Sequence, residues 1–429
     1  MLRSPDSRRN VLEEVLAYNA PRKAKRVRLK LRLMAADVFS FFRATNHLFA
    51  ADWAELKPPD PGPDILVCGD LHLENFGAYR TDGGDFLFDV NDFDEAVVAP
   101  CAFDTVRCTT SILLASEMWR LSPLVATNMA LEFLDRYRAV VTAPPPEAAE
   151  DHEAPHAGQG PIWKLLGEAA LASQAELLDE KTRIGKRGTR RISRDARKYP
   201  RLSRSRAKQV SAAVERYGKE QKEAEAYTVL DVAGRIAGLG SLGARRYLAL
   251  VEGGGTPATN RLFDIKEVYP SVVRHCTDAA QPKWGGKDEA CRVVGAQRVL
   301  QAQPAAGLNV IPLGKHGYRI REMIPEENRP RIDRFHKDPQ QLLQAIELAG
   351  HLTGSMHLRG ARFAGKANRV AALRKWATGP ALDSVLASAA RYAERSLADY
   401  QEFYREADDP RRPRKSQRRG AGTGHEPSA

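Results

Sequence analysis

Cys68-Gly69-Asp70-Leu71-His72-Leu73-Glu74-Asn75-Phe76-Gly77, followed by Phe88-Asp89-Val90-Asn91-Asp92-Phe93-Asp94-Glu95-Ala96, decides the reading of this chain. An Asp and an Asn stand five residues apart, and Asp92, at the head of an acidic run, follows the Asn by 17 residues. Phosphoryl transfer from ATP to a hydroxyl needs this set: one Asp to receive the proton, then an Asn and a second Asp to hold magnesium on the phosphates. Asp70 is thus the candidate general base, Asn75 and Asp92 the candidate metal ligands, and Asp94 a second metal carboxylate. Asp89 substitutes if the register shifts by three. His72 is expected to order the loop by hydrogen bonding, and Asp104 to cap a helix or fix the loop. Carboxylates this dense repel unless a cation sits among them.

Outward from that stretch, residues 64–68 read as a short buried strand feeding the loop, and 85–90 as a second strand after the turn at Asp82-Gly83-Gly84. Residues 29–56 carry apolar side chains at helical spacing and are expected as a core-facing helix pair. Residues 103–119, 123–141, 163–181, 204–226, 288–303, 340–358 and 380–406 also read as helices. Residues 1–25 are polar and basic, a helix expected to dock loosely.

With 429 residues and 43% hydrophobic content the chain can bury a large core. No run of about 18 apolar residues occurs, so no membrane span is expected. The charged first ten residues lack a signal core, and five cysteines without CxxC spacing read as reduced thiols, so the expected location is cytoplasmic. The net charge of +12 is concentrated: residues 181–208 hold 13 Lys or Arg against Asp195 alone, and 411–419 add six more, leaving a mildly acidic body. Such runs are solvated appendages, and without interleaved aromatics they argue against a nucleic-acid partner.

A second motif lies far downstream. Gly238-Leu239-Gly240-Ser241-Leu242-Gly243 is followed by Arg245-Arg246-Tyr247-Leu248-Ala249-Leu250-Val251, which alternates like a strand. Strand, glycines, strand, turn, strand is the hairpin that covers ATP phosphates in kinases, where absent Cβ atoms let backbone N–H groups approach. Lys266, 23 residues past Gly243 in an apolar strand, takes the place of the lysine that reaches the α- and β-phosphates. Its expected ion-pair partner is Glu289. Residues 318–323 form half of a hairpin, and the connector after it, with Glu322 and Ile324, is expected to hold adenine by its backbone.

The acidic loops precede the glycines and lysine, the reverse of the usual kinase order. Chemistry requires the groups to meet in space and is indifferent to chain order. The chain is therefore expected to be α+β, a circularly permuted protein-kinase-like two-lobe fold. A small antiparallel-sheet nucleotide lobe joins a mainly helical catalytic lobe, with the cut between the helix ending Met356-His357-Leu358 and the loop at 68–77. The expected divisions are a basic segment 1–28, a catalytic part 29–142, a helical insert 143–228, a nucleotide lobe 229–335, C-terminal helices 336–406 and a disordered basic tail 407–429.

The motifs CGDLHLENFG, FDVNDFDEA, the GLGSLGARRY hairpin, Phe41-Phe42-Arg43, and Tyr392 with Asp399-Tyr400 resemble a bacterial family known as domain of unknown function 2252, from about residue 30 to 403. It departs from that pattern at Ala44, Phe103 and Glu394, all away from the proposed site. The block Gly69-Asp70-Leu71-His72 with Asn75 is also similar to the aminoglycoside and choline kinases, with Cys68 where they place a histidine. The family carries no assigned reaction, so the resemblance implies membership and leaves the substrate open. The expected function is an ATP- and Mg²⁺-dependent phosphotransferase acting on a small-molecule or protein hydroxyl. Three other readings stay open: an adenylyl transferase on the same fold, an inactive nucleotide-binding regulator, and a metal-dependent phosphohydrolase using the carboxylates directly.

Overall fold

The computed structural model describes residues 9–144, 160–171, 174–186, 188–240, 242–286, 288–314, 316–323 and 331–407. The chain opens with four helices, α1 (Val11–Asn19), α2 (Ala24–Met34), α3 (Val38–Ala44) and α4 (Asn46–Leu56). Asn10 and Asp37 cap α1 and α3 by accepting the N–H groups of Glu13 and Ser40. Residues 29–56 are thus parts of three helices rather than a pair, because Asp37 starts a new one. Of the first segment, residues 9–25 do not dock loosely, since Val11, Leu12 and Val15 form one apolar stripe packed with Phe41, Leu48 and Phe403, and residues 1–8 lie outside the described residues.

Next come β1 (Asp64–Val67), β2 (Phe76–Arg80), β3 (Phe86–Val90) and β4 (Val97–Pro100). β1 pairs with β4 and β2 with β3, both antiparallel, so residues 68–75 and 91–96 are two loops held side by side. Helices α5 (Ala102–Met118) and α6 (Pro123–Thr142) follow, then α7 (Pro161–Leu171), α8 (Gln174–Lys181), the hairpin β5 (Thr182–Ile184) and β6 (Arg190–Ile192), and α9 (Arg204–Gly218).

A five-stranded antiparallel sheet is built from β7 (Val229–Gly234), β8 (Arg246–Val251), β9 (Arg261–Glu267), β10 (Asn309–Leu313) and β11 (His316–Glu322), in the order β10-β11-β9-β8-β7. Helix α10 (Glu289–Leu300) links β9 to β10. The alternation of strands sends Tyr247, Ala249, Phe263 and Ile265 to one face, against Val210, Val214 and Tyr217 of α9. Leu248, Leu250 and Leu262 go to the other, against Leu177, Leu178, Ile192 and Tyr199. The segment expected as a separate insert therefore covers both faces of this sheet, and its basic run includes ordered strands.

Two long helices close the chain, α11 (Pro339–Thr378) and α12 (Pro380–Ala407). Asp338 caps α11 by accepting the N–H groups of Gln340 and Gln341. The helix continues 20 residues past the expected end at Leu358. Gly360, a helix-stop signal by residue type, is instead a contact: a Cβ there would lie 2.1 Å from the Leu66 carbonyl oxygen, so only glycine lets α11 rest on β1. One core unites β1, β4, α4 to α6, α11 and α12. The architecture is thus mixed α+β, a helical body carrying small antiparallel sheets. No helix among the described residues is long and apolar enough to cross a membrane.

Candidate functional site

The buried strand β1 delivers the chain into the loop at Gly69, whose φ of +80° and Cβ position, 2.3 Å from the Glu95 carbonyl oxygen, admit only glycine. Asp104 fixes this loop: its two carboxylate oxygens accept the N–H groups of Cys68 at 2.7 Å and Gly69 at 2.8 Å. His357 of α11 backs Asp104 at 3.3 Å, and the Tyr137 hydroxyl meets the other ring nitrogen of His357 at 2.9 Å. All three side chains are completely buried.

Asp70 emerges from this support beside Arg107, whose Nε lies 2.6 Å from Asp70 Oδ1. Arg107 has no exposed surface and is stacked on Phe42 and Phe49, 4.2 and 5.2 Å from their ring centroids. Burial pushes the Asp70 carboxyl up, against the pull of Arg107, to about 6. The side-chain amide of Asn75 donates to the Asp70 carbonyl at 2.5 Å, and the Asn75 carbonyl accepts the Asn91 N–H at 2.8 Å, tying the two loops together. His72 is buried against the Phe39 ring, and desolvation holds its pKa well below the usual value. Its Nδ1 is buried without a hydrogen-bond partner, so the ordering bond expected of that nitrogen is not made.

The acidic loop faces the five-stranded sheet. Lys266 Nζ lies 3.4 and 3.5 Å from the Asp92 oxygens and also pairs with Asp94. Burial acts to raise the Asp92 pKa, but the charges of Lys266, Arg319, Arg321 and Arg246 outweigh it and hold the carboxyl well below its ordinary value. Asp94 keeps one buried oxygen, Oδ1, without a hydrogen-bond partner. Glu95 accepts the Val272 N–H at 2.7 Å and is pushed up to about 7 by burial and by the neighbouring charge of Asp70. Asp89 is not in this group: it accepts from Ala302 N–H at 3.0 Å and Arg359 at 3.3 Å and joins β3 to the helices behind it.

The glycine segment between β7 and β8 lies over the same cleft, with Gly238 and Gly243 at φ of +75° and +107°. It is held from outside by the first helices. Arg22 donates to the Gly240 carbonyl at 2.9 Å, Lys30 donates to the same carbonyl at 3.1 Å, and Arg26 donates to that of Ala244 at 3.2 Å. Ser241 and Ile324 lie outside the described residues.

Two expected nucleotide contacts are placed elsewhere. Glu289 bonds Arg292 at 2.5 Å and faces Arg274 at 3.8 Å, because it opens α10 on the side of those arginines; Lys266 pairs with the acidic loop instead. Glu322 is locked between Arg80 at 2.5 Å and Arg261 at 2.7 Å, and its backbone N–H donates to the Ala306 carbonyl, which leaves that amide no bond for adenine.

A cleft is lined by Asp70, Asp92 and Asp94 on one side and by Gly240 and Ala244 on the other. The profile of the bacterial family described as "uncharacterized protein conserved in bacteria (DUF2252)" matches residues 22–406. The chain belongs to the DUF2252 family. No curated protein and no solved structure matches it. The DUF2252 match takes in every residue of the cleft named so far, together with the Asp104–His357 support and the Arg107 pair.

Sequence reasoning missed much of this DUF2252 cleft. Tyr18, Arg22, Arg43, Asn46, Glu95, Glu267 and Tyr269 also line it. Arg43 pairs with Glu74 at 2.8 Å. Asn46 donates to the Gly69 carbonyl at 2.9 Å while its Oδ1 stays buried and unpartnered. The available signal was in the first helices, where Asn19, Lys30 and Asn46 stand among apolar residues. Among the described residues no group of three or more His, Cys, Asp or Glu side chains is arranged to hold a metal. The donors at hand are hard oxygens, the unpartnered Asp94 Oδ1 among them, and this chemistry fits Mg²⁺ once Lys266 no longer neutralises the pair.

Proposed function

We propose that this DUF2252 protein is an ATP- and magnesium-dependent phosphotransferase on a kinase-like, circularly permuted two-lobe fold, transferring a phosphorus group to an acceptor hydroxyl. One observation carries the reading: Lys266, from the strand after the glycine hairpin, meets Asp92, 174 residues away, in a cleft that also contains Asp70. A phosphohydrolase using the carboxylates alone gives that lysine and the glycine segment no task.

The fold part of the proposal draws support from the sheet. Its hairpin β7–β8, lysine-bearing β9, linking helix α10 and hairpin β10–β11 follow in the order that a kinase nucleotide lobe uses. The permutation draws support from α11, which rests on β1 through Gly360 and sends His357 to Asp104, beside the loop it would normally lead into.

In this reading Asp70 orients the acceptor hydroxyl and takes its proton, with Arg107 holding the carboxylate in place. Lys266 leaves Asp94 to pair with phosphate oxygens. Asn75, Asp92 and Asp94 would hold Mg²⁺, which supplies positive charge to the phosphate oxygens of the nucleotide. Asp104, His357 and Tyr137 are positioning residues.

The test uses MgATP carrying label at the α or γ position, with wild type, Asp70→Asn and Lys266→Met. Transfer or turnover in wild type, lowered about 100-fold or more in each variant, supports the proposal. Binding of ATP without any turnover points to a regulatory nucleotide sensor. Absence of ATP binding ends the reading.

A further inference from the structure

The corner between α3 and α4 is pinned to the loop of Asp70 at three points. Before the corner, the Phe42 carbonyl accepts a bond from Arg107 at 3.2 Å, and the same guanidinium holds Asp70. After it, Asn46 donates to the Gly69 carbonyl at 2.9 Å. Between these two, Arg43 reaches Glu74 of the loop at 2.8 Å. The backbone of Arg43 also meets the glycine segment: its carbonyl oxygen lies 3.7 Å from the place a Cβ on Gly240 would take. Arg43 therefore spans the wall of the cleft from the glycine segment to the loop of the base. In the proposed reading phosphates lie at the first and the acceptor hydroxyl at the second, so the side chain runs along the junction where they react.

Two arginines line the cleft, Arg22 and Arg43. Arg22 is committed: it donates to Asn19 and to the Gly240 carbonyl and lies against the rings of Tyr18 and Tyr269. Arg43 is committed less fully. Its Nη2 meets Glu74, while its Nε is buried with no hydrogen-bond partner. Glu74 has a second cation, Arg331, at 3.5 Å, so it stays paired when Arg43 turns to a ligand. Against the burial that raises the Asp70 carboxyl, the charge of Arg107 and then that of Arg43 pull it down, so Arg43 stands within electrostatic reach of the base. An unspent buried donor calls for a reason, and the planar fork of a guanidinium matches phosphate oxygens.

We infer that Arg43 is a catalytic residue, donating to the oxygens of the phosphorus group as it passes from nucleotide to acceptor. The inference rests on the phosphotransferase reading and deepens it. The acceptor oxygen forms a bond to phosphorus, and the bond from that phosphorus to the bridging oxygen of the leaving part of the nucleotide breaks. The leaving group keeps the electron pair, and the hydroxyl proton passes to Asp70. Arg43 exchanges no proton. Its charge meets the negative charge that builds on the surrounding oxygens in the transition state, so its loss falls on turnover more than on ATP binding.

The test compares Arg43→Ala, Arg43→Lys and Glu74→Gln with wild type by turnover of labelled MgATP, calorimetric binding of MgATP and a melting curve. Arg43→Ala is expected to lower turnover about 100-fold or more and to change ATP affinity by less than about threefold. Arg43→Lys, which keeps the charge without the fork, falls between it and wild type. Added guanidinium ion, well below denaturing concentrations, restores turnover to Arg43→Ala and does nothing for Asp70→Asn, a response that a merely structural arginine would not give. Glu74→Gln, which breaks the ion pair and keeps the guanidinium, loses far less than Arg43→Ala. Near-normal turnover in Arg43→Ala overturns the inference. So does a loss that guanidinium does not restore, or an equal loss in Glu74→Gln, since either assigns the arginine to holding the loop. These outcomes leave the phosphotransferase proposal standing. A wild type that binds no MgATP, or turns none over, removes the proposal and the inference together.

Discussion

The loop that carries Asp70 and the segment that carries Gly240 face each other across one cleft, yet they are held by opposite means. Below, the backbone is clamped by a carboxylate, Asp104, inside a chain of completely buried groups that ends at His357 and Tyr137. Above, the backbone carbonyls are gripped by long cationic side chains reaching in from α2 and the turn before it. The lower half is fixed by desolvated hydrogen bonds that have no alternative in water. The upper half is fixed by flexible tethers, two of which are only partly buried. In the proposed reading a catalytic base benefits from the first arrangement, and a cover that admits a nucleotide from the second.

The largest effect expected from breaking this contrast is at Asp104. Asp104→Ala strands two buried N–H groups and should cost roughly 3–5 kcal/mol, read as a lowered urea midpoint with an unchanged slope. An effect under about 1 kcal/mol would show that the clamp is not what fixes the loop.

Next comes the link between the halves. Lys266→Met removes the cation between Asp92 and Asp94 while its stem keeps much of the packing, so activity is expected to fall about 100-fold or more with folding retained. A variant with near-normal turnover and a normal melting curve would separate the lysine from the chemistry.

A smaller effect concerns pH. In the proposed reaction Asp70 serves as a base only when ionised, and burial pushes its carboxyl up to about 6, so the rate should rise through that region and level off above it. Arg107 stabilises the ionised form, so Arg107→Met should move the limb to higher pH. A limb that stays in place would remove Arg107 from control of the base. Glu95, at about 7 through burial and Asp70, lies in the same cleft, so the wild-type profile should be compared with that of Glu95→Gln.

The smallest effect is expected above the cleft. Arg22→Ala removes one tether of the glycine segment and should change global stability by less than about 1 kcal/mol. Amide exchange at residues 238–244 should nonetheless quicken, since local opening needs only the remaining tethers to release. Unchanged exchange there would mean that the segment is rigid by itself.

These two halves were not equally legible in the sequence. Strand alternation with glycine turns gave β8, β9 and the β10–β11 hairpin, and the spacing of Asp70, Asn75 and Asp92 pointed to one acidic cluster. The meeting of Lys266 with Asp92 follows from the same motifs, because their chemistry requires a shared cleft. Among the supports Asp104 was legible as a residue that fixes the loop, whereas Arg107 was not, for a physical reason. Arg107 sits mid-helix in α5, and a helical period reports a face without reporting what covers it. Asp264 and Arg319 alternate with apolar residues in a way that reads as a solvated strand face, yet α8 and the residues around it seal that face. Only long-range packing decides that Lys30 is completely buried, whereas the Glu289–Arg292 pair is an i, i+3 contact within α10. The close approach of Gly360 to the Leu66 carbonyl is likewise invisible until α11 is packed on β1.

One further feature bears on how the molecule is handled. Arg9 bonds both Asp52, at 2.8 Å, and Asp399, at 3.0 Å, while Glu402 accepts the Val11 N–H at 3.0 Å. The last turns of α12 thereby anchor the helix that precedes the tethers of the glycine segment. Trimming the far end of the polypeptide before Asp399 would loosen that segment from some 160 residues away, so a shortened form made for convenience would report on a different cleft.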